Sequence, residues 1–224
     1  MYDTLISSGV APEQAEKLSR FGALLLEKNK VMNLTAITDP VQAAHLHMLD
    51  SLAVLRAADC KGKTLIDIGC GAGFPGVPVA VCEPTAQITL LDSLQKRVNW
   101  LAEILPSLGI HANAVAARAE EYVTGCREQF DLCTSRAVAR LPMLCELCLP
   151  YVKVGGSFLA LKGAMTEEEV QEAAHAIRVL GGRVDHIFEY PILDAVHKIV
   201  VIQKIAPAPA QYPRKFAKIK QSPL

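Results

Sequence analysis

Apolar positions along the chain follow two different spacings, and the change falls near residue 60. Before that point, Leu18, Phe21 and Leu25 recur at helical spacing, and a second helix is predicted from Pro40. From residue 63 to residue 204, short apolar runs typical of strands alternate with helical segments. Because crossover helices join parallel strands, we expect a mostly parallel sheet that is covered on both faces.

This pattern predicts one sheet flanked by two smaller units. Strands are expected at 64–68, 87–91, 111–116, 130–135, 156–161, 184–190 and 198–204. The units are a helical extension over residues 1–62, a sheet domain over residues 63–205 and a basic tail over residues 206–224. The Ala-Pro-Ala-Pro-Ala run at 206–210 predicts a stiff spacer that carries the tail away from the body.

A glycine-rich turn directly follows the first strand. The run from Asp67 reads Asp-Ile-Gly-Cys-Gly-Ala-Gly, and its glycines allow a ligand to approach the backbone closely. Asp92 ends the second strand, 23 residues beyond Gly69, where an acid can accept hydrogen bonds from ribose hydroxyls. The turn therefore indicates a nucleoside cofactor bound at the carboxyl ends of the strands.

The same turn leaves two alternatives open. Gly71, Gly73 and Gly76 also match the G-x-G-x-x-G pattern of nicotinamide dehydrogenases. Asp67 before the glycines suits a cationic amino-acid group better than a pyrophosphate, and the prolines at 75 and 78 interrupt the helix start that would bind phosphate. These features favour S-adenosylmethionine. The other alternative is a tight turn without a ligand.

Composition excludes some classes of protein. No apolar run approaches the ~20 residues that a membrane helix requires, and the N-terminus lacks the basic and apolar regions of a signal peptide. We therefore expect no membrane partner and a cytoplasmic location. The seven cysteines are an odd number, which favours reduced thiols. Cys145 and Cys148 lie in an apolar helical stretch, and we expect them to be core residues.

Charge is unevenly distributed although the formal net charge is zero. Residues 196–224 contain no acid and six basic residues: Lys198, Lys204, Arg214, Lys215, Lys218 and Lys220. Such a segment can guide a polyanion to one face of a neutral protein. A solvated basic tail without a partner is the alternative.

His45, His47 and Asp50 are close in the sequence and are residue types that can bind a metal. On a helix, His45 and His47 point to different faces. His47 and Asp50 are three residues apart, so we expect them to pair with each other or to line the cofactor cleft. No metal is expected.

Several motifs together make the sequence resemble the bacterial RsmG (GidB) family of 16S ribosomal RNA guanine-N7 methyltransferases. The motifs are the turn at 67–76, Leu-Asp-Ser-Leu-Gln-Lys-Arg at 91–97, Asn-Leu-Thr at 33–35, His-Met-Leu-Asp-Ser-Leu at 47–52, Ser-Arg-Ala at 135–137, Ala-Leu-Lys-Gly at 160–163 and Tyr-Pro-Arg-Lys at 212–215. The resemblance implies a Rossmann-like class I methyltransferase with a seven-stranded, mostly parallel sheet, in which residues 63–205 bind S-adenosylmethionine. The family tail usually has Gly and Pro where this chain has Ala217 and Ile219.

The resemblance also implies a role for individual residues. Gly69 and Phe74 would contact the methionine end of the cofactor, Asp92 the ribose, and Ala119 and Glu120 the adenine region. Arg136 would face both cofactor and substrate as the catalytic residue; an ion pair with Asp67 or Asp92 is the structural alternative. With Asp67, Gly71 and Gly73 from the turn, these residues form the expected cofactor site. The expected RNA contacts are Lys162, Arg214, Lys215, Lys218 and Lys220.

The chemistry of the implied reaction agrees with the residues that are present. Guanine N7 is an exposed lone pair, so its methylation requires alignment and desolvation more than a general base. The partner is expected to be 16S ribosomal RNA or the small subunit, and the protein a monomer. Removal of the tail after Ala210 is expected to weaken RNA binding and to leave cofactor affinity nearly intact. A non-catalytic RNA-binding assembly factor and a small-molecule methyltransferase remain alternatives.

Overall fold

Seven strands form a single sheet in the computed structural model, which describes residues 1–163 and 166–224. Their order across the sheet is β3-β2-β1-β4-β5-β7-β6. The strands are β1 (Thr64–Ile68), β2 (Gln87–Asp92), β3 (Ala112–Ala116), β4 (Phe130–Arg136), β5 (Val152–Lys162), β6 (Gly182–Ile192) and β7 (Ala195–Lys204). The predicted strands are confirmed, and the last three extend beyond their expected bounds.

The first five strands are parallel, and only β7 runs the other way. β1 pairs in parallel with β2 and β4, while β7 is antiparallel to both β5 and β6. The chain order reverses between β1 and β4, so the carboxyl ends of these strands border a crevice. The mixed, mostly parallel sheet expected from the sequence is thus confirmed.

Helices cover both faces of the sheet. A π-helical stretch, Ala44–Leu49, joins two of them into one continuous segment that begins at Pro40. The helices are α1 (Tyr2–Ser7), α2 (Pro12–Met32), α3 (Pro40–Ala43), α4 (Asp50–Leu52), α5 (Val54–Ala57), α6 (Gly76–Cys82), α7 (Gln95–Ser107), α8 (Ala119–Tyr122), α9 (Leu141–Cys148), α10 (Thr166–Val179) and α11 (Phe216–Gln221).

The N-terminal helices share a core with the sheet. Phe21 of α2 lies 5.6 Å from Phe74 and 6.2 Å from Trp100, measured between ring centroids. Leu18, Phe21 and Leu25 are all completely buried, in the same apolar cluster as Leu65 of β1. Residues 1–62 therefore do not form a separate core, and they hold the segment at 44–52 against the site described below.

The C-terminal segment folds back onto the body, so the prediction of an extended spacer is wrong. Ala208, in the middle of the Ala-Pro repeat, is buried, and its N–H donates to Glu128 Oε1 at 2.7 Å. Ile219 of α11 is completely buried in the apolar cluster that also contains Leu144 and Leu147 of α9. The repeat supplies an extended path, but apolar side chains and carboxylates along that path keep the segment on the surface.

The cysteines are free thiols in the structure. Cys145 and Cys148 are completely buried, and burial raises the pKa of both thiols well above the usual range. Their burial confirms the expected role as apolar core residues. A buried neutral thiol is also a poor nucleophile. No helix among the described residues is long and apolar enough to cross a membrane.

Candidate cofactor and base-binding site

The glycine turn places two backbone N–H groups against the ends of β1 and β2. Gly69 adopts a φ of +72°, and its N–H donates to the Leu91 carbonyl at 2.8 Å. Gly71 adopts a φ of +57°, and its N–H donates to Asp92 Oδ2 at 2.9 Å. A Cβ on Gly71 would meet only the Gly69 carbonyl oxygen, at 4.0 Å, so this face of the turn is open.

Asp92 connects the turn to the second strand. Its Oδ1 accepts the Leu94 N–H at 2.8 Å, and the Arg97 guanidinium lies 3.6 Å from Oδ2. The carboxylate is only 6% exposed, and that part faces the cavities beside the turn. Each carboxylate oxygen has more than one acceptor position, so Asp92 can hold the turn and still accept hydrogen bonds from a ligand.

Asp67 lies beneath the turn, which corrects its expected contact with an amino-acid group of the cofactor. The side chain is completely buried, with Oδ2 accepting the Gly76 N–H at 2.8 Å and Oδ1 accepting the Thr134 hydroxyl at 3.2 Å. Burial raises the pKa of Asp67 to about 7. Because Gly76 opens α6, this carboxylate occupies an N–H group that a dinucleotide site would direct to phosphate.

Gly73 also differs from the expected role. A Cβ at this position would approach Val77 Cγ2 to 2.6 Å and Leu101 Cδ2 to 3.1 Å. Its missing side chain therefore makes room for the packing of α6 and α7. Of the three glycines in the turn, Gly69 and Gly71 line the cavity that a ligand can enter.

Two adjoining cavities follow the turn and fit a nucleoside that carries an amino-acid tail. One has a volume of about 400 Å³ and is lined by Gly69, Gly71, Phe74, Asp92 and Arg136, among others. The other, of about 190 Å³, is lined by Ala119, Glu120 and Phe216, among others. They share Gly69, Asp92, Ser93 and Val138. Asp92 therefore lies at the junction of the two cavities.

A larger cavity lies elsewhere, between the N-terminal helices and β6. Its volume is about 560 Å³, and its lining includes Arg56, Tyr190 and Ile192. It lacks the open glycine turn and the strand-end carboxylate. We therefore assign the cofactor to the smaller pair of cavities, where these groups converge.

Arg136, at the end of β4, is held by three acceptors. Its Nη1 donates to Asp50 Oδ2 at 2.8 Å and to the Leu46 carbonyl at 3.0 Å, and its Nη2 faces His47 Nδ1 at 3.2 Å. The Arg136 guanidinium carbon also lies 5.0 Å from the Phe74 ring centroid. The alternative of an ion pair with Asp67 or Asp92 is corrected, because the carboxylate partner is Asp50.

The imidazole of His47 is neutral and lies between Arg136 and the loop that contains Thr35. Burial and the neighbouring Arg136 guanidinium lower its pKa to about 4. Since Arg136 only donates, Nδ1 must accept, and the proton resides on Nε2, 2.7 Å from Thr35 Oγ1. The His47 ring stacks on Phe74 at 4.6 Å between centroids. The expectation that His47 lines the cleft is confirmed, whereas its expected pairing with Asp50 is replaced by contacts with Thr35 and Arg136.

Asp50 is shared by side chains from three strands, β4, β6 and β7. Its Oδ1 accepts the Tyr190 hydroxyl at 2.9 Å and lies 2.7 Å from His197 Nδ1, while Oδ2 binds Arg136. Sequence reasoning missed Tyr190 and His197. They lie 140 and 147 residues from Asp50, and no local pattern indicates that the β6–β7 hairpin reaches this carboxylate.

A further cavity, of about 510 Å³, lies on the other side of Arg136 from the glycine turn, and we call it the second cavity. Its lining includes Arg136, His47, Lys162, Glu169 and His197. Lys162, for which a phosphate contact is predicted, binds Glu169 Oε2 at 2.7 Å and the Ala139 carbonyl at 2.9 Å through its ammonium, and its RNA contact stays a prediction. The Lys162 side chain is only 10% exposed.

Half of the basic C-terminal charge is paired with acids from elsewhere in the chain. Lys198 binds Glu167 and Glu189, and Lys204 binds Glu128. Arg214, also predicted to contact RNA, binds the buried carboxylate of Glu146 through its guanidinium, and its RNA contact stays a prediction. The basic side chains exposed to solvent in the tail are Lys215, Lys218 and Lys220. In the ranges 1–163 and 166–224, no group of three or more His, Cys, Asp or Glu side chains is arranged to hold a metal ion.

Comparison with known proteins identifies the family. The model described as GidB, rRNA small subunit methyltransferase G, matches residues 14–192. The chain belongs to this family. A Clostridium botulinum protein named ribosomal RNA small subunit methyltransferase G is 44% identical over 221 residues, covering 96% of this chain and 92% of its own. A protein of the same name from Alkaliphilus metalliredigens is 45% identical over 217 residues, covering 94% and 91%.

Solved structures support the fold of this methyltransferase G family member. A protein described as a SAM-dependent methyltransferase from Aquifex aeolicus superposes with a TM-score of 0.57 at 17% identity, covering 79% of this chain and 97% of its own. M. jannaschii TYW2 in complex with AdoMet also gives a TM-score of 0.57, at 12% identity, covering 71% and 76%. The expected Rossmann-like fold and the RsmG resemblance are confirmed. At the level of the family, the expectation of a methyltransferase of ribosomal RNA that uses S-adenosylmethionine is confirmed as well.

Proposed function

We propose that this protein transfers the methyl group of S-adenosylmethionine to N7 of a guanosine in 16S ribosomal RNA. The observation that carries the proposal is the position of Arg136, which lines both the cavity beside the glycine turn and the cavity of about 510 Å³. A base in the second cavity would meet the cofactor across this guanidinium.

The lining residues define how the cofactor would be held. Asp92 would accept hydrogen bonds from the ribose, Ala119 and Glu120 would border the adenine, and Gly69, Gly71 and Phe74 would border the methionine end. When bound, S-adenosylmethionine supplies an electrophilic methyl group on a sulfonium. Asp67 and Gly73 support this site from beneath the turn.

The residues around Arg136 suit an acceptor that needs no deprotonation. Guanine N7 presents a lone pair, so the protein must align the base and exclude water. Arg136 would donate to guanine O6 or to a neighbouring phosphate through N–H groups not taken by Asp50 and Leu46. The neutral, hydrogen-bonded His47 would hold the guanidinium plane and leave N7 free to attack.

The exposed lysines of the tail would bind phosphates of the RNA. Lys215, Lys218 and Lys220 lie on the same segment as Phe216, which lines the adenine side of the site. Phosphate contacts close to the cofactor would direct a folded RNA toward the second cavity. We expect the enzyme to act as a monomer. Because the proposed substrate is ribosomal RNA, which is assembled into ribosomes in the cytoplasm, we expect a cytoplasmic location.

Methyl transfer to defined acceptors tests the proposal. Purified 16S RNA and 30S particles from a strain without the endogenous enzyme would be incubated with the protein and tritiated S-adenosylmethionine. We expect label in 16S RNA. Reduction followed by aniline treatment should then cleave the RNA chain at the labelled guanosine. Label confined to small metabolites would favour a small-molecule methyltransferase. Cofactor binding without any transfer would favour the assembly factor.

A further inference from the structure

The C-terminal helix borders the cavity that we assign to adenine. Phe216, the first residue of α11, is half-buried and lines this cavity together with Ala119, Glu120 and Asp92. The guanidinium carbon of Arg118 lies 5.9 Å from the Phe216 ring centroid. An aromatic ring from the end of the chain thus faces the region where the purine would bind.

The ring is held in place by the residues around it. Ile219, one turn along α11, is completely buried. Arg214 precedes the helix, and its N–H, Nε and Nη2 donate to the Glu146 carboxylate at 2.8, 2.8 and 2.6 Å. Glu146 is itself completely buried, so the pair anchors the segment to α9. These contacts on both sides of Phe216 give its ring a defined position.

The surroundings of Phe216 match the chemistry of a purine. Ile68, Leu91 and Leu147 supply apolar lining to the same cavity. An aromatic ring binds a purine by stacking or by edge contacts, in addition to removing apolar surface from water. We propose that Phe216 is a cofactor-binding residue whose ring closes the adenine side of the site. The proposal rests on S-adenosylmethionine being the cofactor.

Lys215, Lys218 and Lys220 are exposed on the segment that carries Phe216. Truncation after Ala210 would therefore remove Phe216 together with these lysines. The proposal predicts that this truncation weakens cofactor binding, whereas the sequence predicts nearly intact cofactor affinity.

Titration calorimetry of the full chain with S-adenosylmethionine tests the role of Phe216. We expect Phe216→Ala to raise Kd about tenfold, the magnitude typical of a lost base–aromatic contact. Phe216→Leu keeps apolar volume without the ring and should also raise Kd, whereas Phe216→Tyr should stay close to wild type. Phe188→Ala is the matched control, because Phe188 also lies under an arginine, with Arg56 at 5.3 Å, but on β6 away from the cavity.

The outcomes separate binding from folding. Weaker binding in the Ala and Leu variants, with Tyr and Phe188→Ala near wild type and similar thermal unfolding, supports the proposal. Unchanged affinity in Phe216→Ala, or an equal loss in Phe188→Ala, overturns it. Methyl transfer by the wild-type protein reports on the proposed function separately. If transfer to RNA fails while the cofactor still binds, the function is wrong and the titration still decides the role of Phe216.

Discussion

Asp50 Oδ2 and Arg136 Nη1 lie 2.8 Å apart, although 86 residues separate them in the chain. Both side chains are largely buried, at 5% and 15% exposure. The pair joins the start of α4 to the end of β4, and it fixes the guanidinium between the two cavities that Arg136 lines. In the proposed function, Asp50 would be a positioning residue that acts through Arg136.

Loss of the Asp50 charge should slow transfer more than it weakens cofactor binding. In Asp50→Asn, Arg136 loses its carboxylate partner, and we expect kcat to fall about 10- to 100-fold through misplacement of the guanidinium. Breaking the buried pair should cost about 3 kcal/mol in the free energy of unfolding. The measurements are methyl transfer to 30S particles, cofactor titration and chemical denaturation.

An exposed ion pair provides the control for Asp50. Glu172→Gln breaks the pair with Arg140, whose side chains are 50% and 60% exposed, and it should change the unfolding free energy by less than about 1 kcal/mol. An unchanged kcat in Asp50→Asn would show that Arg136 needs no anchor for transfer.

Asp92→Ala should weaken cofactor binding directly. The variant removes the acceptor expected for the ribose and frees the Gly71 N–H from its 2.9 Å hydrogen bond. Hydrogen bonds to charged groups contribute roughly 1.5–3 kcal/mol, so we expect Kd to rise at least about tenfold. Titration calorimetry measures the effect, and Asp92→Asn, which keeps one acceptor oxygen, should fall between Ala and wild type. Equal affinity in all three would place the ribose elsewhere.

Asp67 should make stability depend on pH. Burial raises its pKa from the ordinary value of 3.8 to about 7, so the folded protein holds this proton more tightly than the unfolded chain does. Stability contributed by the protonated carboxyl is therefore lost as pH rises from about 4 to about 7. Each pKa unit of difference corresponds to about 1.4 kcal/mol.

The variant Asp67→Asn isolates this effect. It removes the ionisation while keeping an acceptor for the Gly76 N–H, so the fall in unfolding free energy between pH 4 and pH 7 should become shallower. Urea denaturation across this range measures the slope. Asp194→Asn removes an exposed carboxyl and serves as the control. A slope in Asp67→Asn identical to wild type would mean that Asp67 is ionised throughout.

The exposed tail lysines should determine the salt dependence of RNA binding. Alanine at Lys215, Lys218 and Lys220 removes three cations, and each lost phosphate contact lowers the slope of log K against log salt by about 0.7–0.9. We expect a total reduction of about 2 to 3, measured by filter binding to 16S RNA over a range of KCl concentrations. Charge-matched alanine substitutions at exposed Arg20, Lys61 and Arg183 should leave the slope near wild type. Equal slopes in both sets would move the RNA surface away from the tail.

Local sequence was sufficient to predict the strands of the sheet and the position of the glycine turn. The strand at 64–68, the glycines at 69 and 71 and the acid at 92 lie within one β-α-β unit, so their spacing alone predicts where they meet. The same spacing did not predict that the Asp67 side chain is buried beneath the turn. Which face a side chain takes depends on what packs behind it, and here that is Thr134 of β4 and the start of α6.

The sequence by itself predicts that a nucleoside cofactor binds at the glycine turn, because every group needed is close along the chain. Only the tertiary structure decided that Asp50 is the partner of Arg136, and that Glu146 anchors Arg214 from 68 residues away. Pairing between distant charges depends on which elements the core brings together, and nothing local to either residue encodes it. For the same reason, a tail that the sequence predicts to be an extended basic arm folds back, and Phe216 lines the cavity of about 190 Å³ beside the turn.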